Sequence, residues 1–238
     1  MAAFEPPRWT ARTTRWTILT QLSGVNAEIA WEWFSSRYRE LIYAILRRHL
    51  GRDASEAADG FWGYLFESRV FECADRSRSF RAFLRGVVSN YARSWHRGRS
   101  GRVGTDPAMV CVVPPLPEEH ELELWARHLV RSALKAVRET HPDSADVIEW
   151  FYGVTASGED AQPVAVAEIA RRLACKPNAI HQALHRGRER LRAVIENEVR
   201  ELTSDISLDE ELASIFGAIG RASPGLIAGS WCSRPRGA

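Results

Sequence analysis

Between Val164 and Arg192 the chain reads VAVAEIARRLACKPNAIHQALHRGRERLR, and its polar residues recur at helical spacing. Asn178, His181, Gln182, His185, Arg186 and Arg188 share the outward side of one helix, with Lys176 just ahead of it and Glu189 the one carboxylate among them. Amide, imidazole and guanidinium donors presented together suit the base edges of a major groove and the phosphates beside them. The plainer reading is the solvated side of an amphipathic hairpin, and the basic bias over two turns favours nucleic acid. A second concentration lies upstream, where residues 76–102 hold eight arginines and no acidic residue. There Arg81, Arg85, Arg93, Arg97 and Arg99 accompany Tyr91 and Trp95. Cations for a sugar-phosphate chain, together with aromatic faces for unstacked bases, are what a single strand requires. Core packing competes for both rings: Tyr91 reads as a core residue, while Trp95, at a helix end among arginines, reads either way.

The elements that must position these groups are helical. Apolar residues recur at helical spacing in at least six stretches, and strand signals are nearly absent, so the fold class is all-α. Residues 26–50, with Asn26 as cap, place Ala30, Phe34, Tyr38, Leu41 and Ile45 on one stripe and stop at Gly51. Asp53, with Glu56 three positions on, has the form of a capping box and predicts a second helix from Ala54 to Arg69. A third, Phe80 to Arg97, carries Phe80, Phe83, Leu84, Val87, Val88, Tyr91 and Trp95. Gly and Pro then interrupt the pattern, and helix returns from Glu118 to Thr140 and from Asp143 to Tyr152, ended by Gly153. After a loop at 155–162, two helices, Val164 to Ala174 and Asn178 to Val199, flank a Cys175-Lys176-Pro177 break. Ala167, Ile169, Ala170 and Leu173 make the first of these apolar, and Ile180 and Leu184 return the second against it as a helix-turn-helix.

The layout is thus a lead (1–25), a helical domain (26–98), a Gly/Pro-rich linker (99–117), a second small helical domain (118–202) and a C-terminal extension (203–238). In the extension Leu208, Leu212, Ile215, Phe216 and Ile219 form a stripe beside Asp209, Glu210 and Glu211. It reads as a helix packing back on the preceding domain, or as an acidic cover for the basic helix.

Other chemistries find less support. The carboxylates form no cluster with His or Ser partners and no Gly-rich phosphate loop follows a strand, so an enzyme is not expected. His181 and His185 could mimic half a metal site, but Gln182 stands where a metalloprotease helix needs Glu, and no metal or cofactor is expected. Cys73, Cys111, Cys175 and Cys232 lie far apart, which argues against a disulfide framework and for a reduced, cytoplasmic setting. No apolar run approaches the roughly 18 residues of a membrane span, and the first residues lack the apolar core of a signal peptide.

EIARRLACKPNAIHQALHRGRERLR resembles the region 4 helix-turn-helix of the sigma-70 family, the specificity subunits of bacterial RNA polymerase. Glu168, Ile169, Ala170, Leu173, Ile180, Leu184, Arg186, Gly187, Arg188 and Leu191 fit that pattern. Residues 34–97 resemble region 2 in the pieces FSSRYRELIYAILRRHL, SEAADGFWGYLFES and SFRAFLRGVVSNYARSWHR, and TTRWTIL resembles the lead of one subgroup. Region 2, a Pro-rich linker and region 4 make the extracytoplasmic-function layout. The resemblance implies core RNA polymerase and promoter DNA as partners, with an anti-sigma factor possible. Region 4 would read the −35 element. For the −10 element it implies Arg76 and Arg78 in the loop Asp75 to Ser79, then Asn90, Arg93, Trp95 and Arg97. For the polymerase clamp it implies Asp59, Trp62, Leu65 and Phe66, although the family's usual D-x-x-Q-x-x-F keeps only its Asp here. The rival readings are a helix-turn-helix regulator and a degenerate sigma-like protein that does not initiate.

Overall fold

A computed structural model describes residue 22 and residues 27–68, 70–72, 74, 79–99, 118–157, 161–203 and 208–227. Among these the chain is all-α, with no strand. Asn26, Arg76 and Arg78, the proposed lead apart from Leu22 and the proposed linker beyond Arg99 lie outside the described residues. So do Cys73, Cys111 and Cys232, and Cys175 is a free thiol. No described helix is long and apolar enough to cross a membrane.

The chain divides into two compact units, residues 1–124 with 201–208, and residues 125–200 with 209–238. In the first, α1 (Ala27–Leu50) packs against α2 (Ala54–Glu67) and α3 (Phe80–Arg99), and α2 also meets α3. Apolar side chains three and four positions apart give each helix one buried stripe. Phe34, Tyr38, Ile42, Leu46, Phe61, Leu65, Phe80 and Leu84 bury almost completely between the helices. The centre is aromatic: Phe34 meets Phe71 edge to face at 5.2 Å, Tyr38 lies 5.3 Å from Phe80, and Phe61 meets Tyr91 at 5.1 Å. Close approach of α2 to α3 needs the missing side chain of Gly60, since a Cβ there would stand 2.7 Å from the Tyr91 hydroxyl.

The expected cap of α2 is not made. Gly51–Asp53 forms a single tight turn that runs straight into the helix, leaving Asp53 at φ −80°, ψ −5° with no side-chain cap bond. A capping side chain reaches the first amides from an extended residue, and Asp53 is already helical.

In the second unit, residues of α4 (Glu118–Thr140) from Trp125 onward join α5 (Pro142–Tyr152), α6 (Val166–Arg172), α7 (Pro177–Leu202) as far as Arg200 and α8 (Leu208–Ala222) from Asp209 onward. Leu129, Leu134, Val147, Ile148, Ile169, Ile180, Leu184, Leu191 and Ile195 are buried there. The apolar stripe of α8, Leu212, Ile215, Phe216 and Ile219, is buried too, whereas Asp209 and Glu210 at its start are exposed. Pro142 opens α5 at the first helical position, and Gly153 ends it at φ +67°. The long excursion from α5 to α6 is closed at its base by main-chain bonds, Ala161 N–H to Gly153 O at 2.8 Å and Val164 N–H to Trp150 O at 2.7 Å. Glu149 adds a bond from the Ala156 amide at 2.9 Å and is itself held by Arg138 at 2.8 Å.

Candidate nucleic-acid interface

The two helices of the basic motif are α6 and α7. α6 ends in a Schellman turn: the Cys175 amide donates to Ala170 O at 2.9 Å and the Ala174 amide to Arg171 O at 3.3 Å. Ala174 holds the left-handed position at φ +49°, where glycine is usual. Of the four apolar residues expected to face inward on α6, Ile169 and Ala170 are buried, while Ala167 is exposed and Leu173 is 45% exposed. Ala167 lies in the first turn of this seven-residue helix, and Leu173 caps its end just after the last helical residue, Arg172.

On α7 the buried line is Ile180, Leu184, Gly187, Leu191 and Ile195. Gly187 is the contact with α5: a Cβ there would lie 3.0 Å from the Ile148 side chain and 3.4 Å from Ser144 O. Opposite that line, Asn178, His181, Gln182, His185 and Arg186 are exposed, and Lys176 is exposed in the turn ahead of them. His185 Nδ1 sits 3.3 Å from the Glu189 carboxylate, both fully in solvent reach. The face therefore offers amide, imidazole, ammonium and guanidinium groups over about two turns, the inventory that base edges and phosphates take.

Arg188 departs from the expected outward placement. It is half-buried, with Nε donating to Leu184 O at 3.2 Å and Nη1 to Gly225 O at 3.4 Å. The cations beyond it are also engaged, Arg190 with Ser144 Oγ at 2.5 Å and Arg192 with Glu196 at 2.6 Å and over the Phe216 ring at 5.3 Å. On α6, Glu168 is bound by Arg172 at 2.9 Å and by Arg171, and these partners, Arg172 first, hold its carboxyl below the usual range. The exposed donor face thus runs from Lys176 to Arg186.

The first unit carries the other expected sites. Arg93 and Arg97 are exposed near the end of α3, and Asn90 is half-buried one turn earlier. Tyr91 is a core residue: its hydroxyl donates to Ala57 O at 2.8 Å, and burial, aided by the neighbouring Tyr64, pushes its pKa up to about 12. Trp95 is half-buried, 6.1 Å from Tyr91, with its ring lying against α2 near Gly60. Arg85 faces inward to Glu121, a carboxylate only 6% exposed that also lies 3.3 Å from His49 Nε2. Arg85 is thereby committed to a buried partner.

The four clamp residues expected on α2 do not share a face. Leu65 is 1% exposed, in line with Ala54, Ala57 and Phe61 in the core, and so is removed from the surface set. Asp59 and Phe66 are exposed, Phe66 at 67%, and Trp62 is half-buried. Asp59 and Trp62 line a cleft of about 500 Å³ with Ser55 and Ala58 and, across from them on α1, Arg39, Glu40, Ile42 and Tyr43. Arg39 lies over the Trp62 ring at 5.9 Å. Arg39 and Tyr43 were not anticipated, although their spacing of four on the polar side of α1 is visible in the sequence. No group of His, Cys, Asp and Glu suited to a metal ion occurs among the described residues. Comparison with protein-family models, with curated proteins and with solved structures found no match to this chain.

Proposed function

We propose that this chain is a promoter-specificity subunit of bacterial RNA polymerase, of the extracytoplasmic-function type that its sequence resembles. The observation that carries the reading is the exposed donor face of α7, Asn178 to Arg186, presented directly after the helix-turn-helix bend with Lys176 beside it. In this role α7 enters the major groove of the −35 element, and its cations supply a salt-dependent grip on the backbone. Arg93 and Arg97 supply exposed cations for an opened −10 strand. The cleft of Asp59 and Trp62 on α2 with Arg39 and Tyr43 on α1, together with the exposed Phe66 ring further along α2, is the surface offered to the polymerase. As such a factor it directs initiation by binding and melting DNA.

The test is transcription in vitro with purified core polymerase on a library of genomic fragments. Discrete transcripts that depend on this chain, together with its co-elution with core enzyme, are expected. Binding of duplex DNA without attachment to core polymerase would favour a conventional regulator, and absence of both would remove the reading.

A further inference from the structure

Besides Phe216 under Arg192, the C-terminal extension meets the basic helix at the turn that follows α8. After α8 the chain turns, with the Leu226 amide donating to Ser223 O at 3.1 Å and Gly225 at φ +83°. Leu226 is completely buried and anchors the turn. The Gly225 carbonyl then accepts two donors, the Tyr152 hydroxyl at 2.7 Å from α5 and Arg188 Nη1 at 3.4 Å from α7. Burial raises the Tyr152 pKa while the adjacent Arg188 charge lowers it, which agrees with the guanidinium and phenol sharing one acceptor. Arg188 stands two positions beyond Arg186, the last exposed cation of the donor face.

We propose that the turn Ser223 to Leu226 is an autoinhibitory clasp that withholds Arg188 from the DNA backbone. The proposal rests on α7 being a DNA-binding helix. The bonds to Leu184 O and Gly225 O hold the guanidinium turned in towards the extension, so swinging out to a phosphate costs the Gly225 contact. The partner is a charged phosphate rather than a neutral carbonyl, so the exchange is favourable once the anchor is loosened. The regulated quantity is therefore the number of backbone cations, and whatever pulls Leu226 from its socket adds one.

Fluorescence anisotropy with a labelled mixed-sequence duplex tests this, comparing the intact chain with Leu226→Ser, each with and without Arg188→Ala. Releasing one phosphate-contacting cation steepens the salt dependence by about 0.9 in log–log slope, equivalent to about threefold in affinity between roughly 50 and 200 mM salt. Arg188→Ala should accordingly flatten the slope by about 0.9 in the Leu226→Ser chain and leave it unchanged in the intact one, so that only in the unclasped chain does its effect on affinity shrink by about threefold between roughly 50 and 200 mM salt. A chain ended at Ala222, again with and without Arg188→Ala, serves as a second unclasped background in case Leu226→Ser disturbs the fold. Equal effects of Arg188→Ala in clasped and unclasped chains overturn the clasp and leave the DNA reading intact. Weaker binding on unclasping, traced to Arg188, also overturns it, because the turn would then be presenting the arginine. Failure of every chain to bind the duplex overturns the DNA interface, and the clasp with it.

Discussion

Tyr91 shows how one side chain ties packing to solution conditions. Its hydroxyl is buried against Ala57 O, and its pKa is raised from 10.0 to about 12, first by burial and then by Tyr64. A pKa higher in the folded than in the unfolded chain means that the folded state keeps its proton longer. The stability this provides is complete below pH 10 and is lost as pH rises towards about 12. Urea titrations should show the wild-type chain losing stability between about pH 10 and pH 12 more steeply than Tyr91→Phe, which lacks the ionising group. At Ala174 the strain is conformational, since an L-residue at φ +49° pays a penalty that glycine avoids. Ala174→Gly should raise stability by up to about 1 kcal/mol, measured by denaturant melts, and equal or lower stability would show that the turn is unstrained. The sequence shows the break between the two helices but not its left-handed cap, of which an alanine gives no sign.

At the scale of helices, spacing settles which side faces inward. Ala54, Ala57, Phe61 and Leu65 step by three and four along α2, whereas Asp59, Trp62 and Phe66 lie round the other side. Leu65→Ala should therefore destabilise the chain by about 2–5 kcal/mol, as for a core leucine. Phe66→Ala should change stability by less than about 0.5 kcal/mol while weakening attachment to core polymerase. Thermal melts with a pull-down separate the two, and a surface-like response from Leu65→Ala would contradict the helix register. Motif alignment misplaced Leu65 because it matched a position in a pattern rather than a face, and the heptad-like spacing around it held the correction. Helices bounded by strong signals were legible: Glu118 to Thr140 matches, and α5 ends at Gly153 as expected. Asp53 misled because the box motif specifies side chains and leaves the backbone entering the helix undetermined.

Across the whole molecule, the all-α class and the exposure of Lys176, Asn178, His181, Gln182, His185 and Arg186 followed from periodicity alone. Long-range engagement did not. Arg188 differs from Arg186 through a carbonyl 37 positions away, and Arg85 from Arg93 through a carboxylate on α4. No local pattern encodes such partners. On the proposed DNA-binding reading, Arg186 is accordingly the α7 cation best placed for the backbone. Arg186→Ala should weaken duplex binding about equally on all sequences and flatten the log–log salt slope by about one, whereas Gln182→Ala should alter sequence preference. Anisotropy on a small panel of duplexes reads both, and an unchanged slope for Arg186→Ala would count against the interface.

The excursion between α5 and α6 is stitched shut, main chain to main chain, at Gly153 with Ala161 and at Trp150 with Val164. Residues added between Ser157 and Ala161 lengthen a loop whose ends are already joined, and closure entropy grows only with the logarithm of length. An epitope or dye-accepting peptide spliced there gives a handle for immobilising the protein while leaving α7 and the chain terminus untouched.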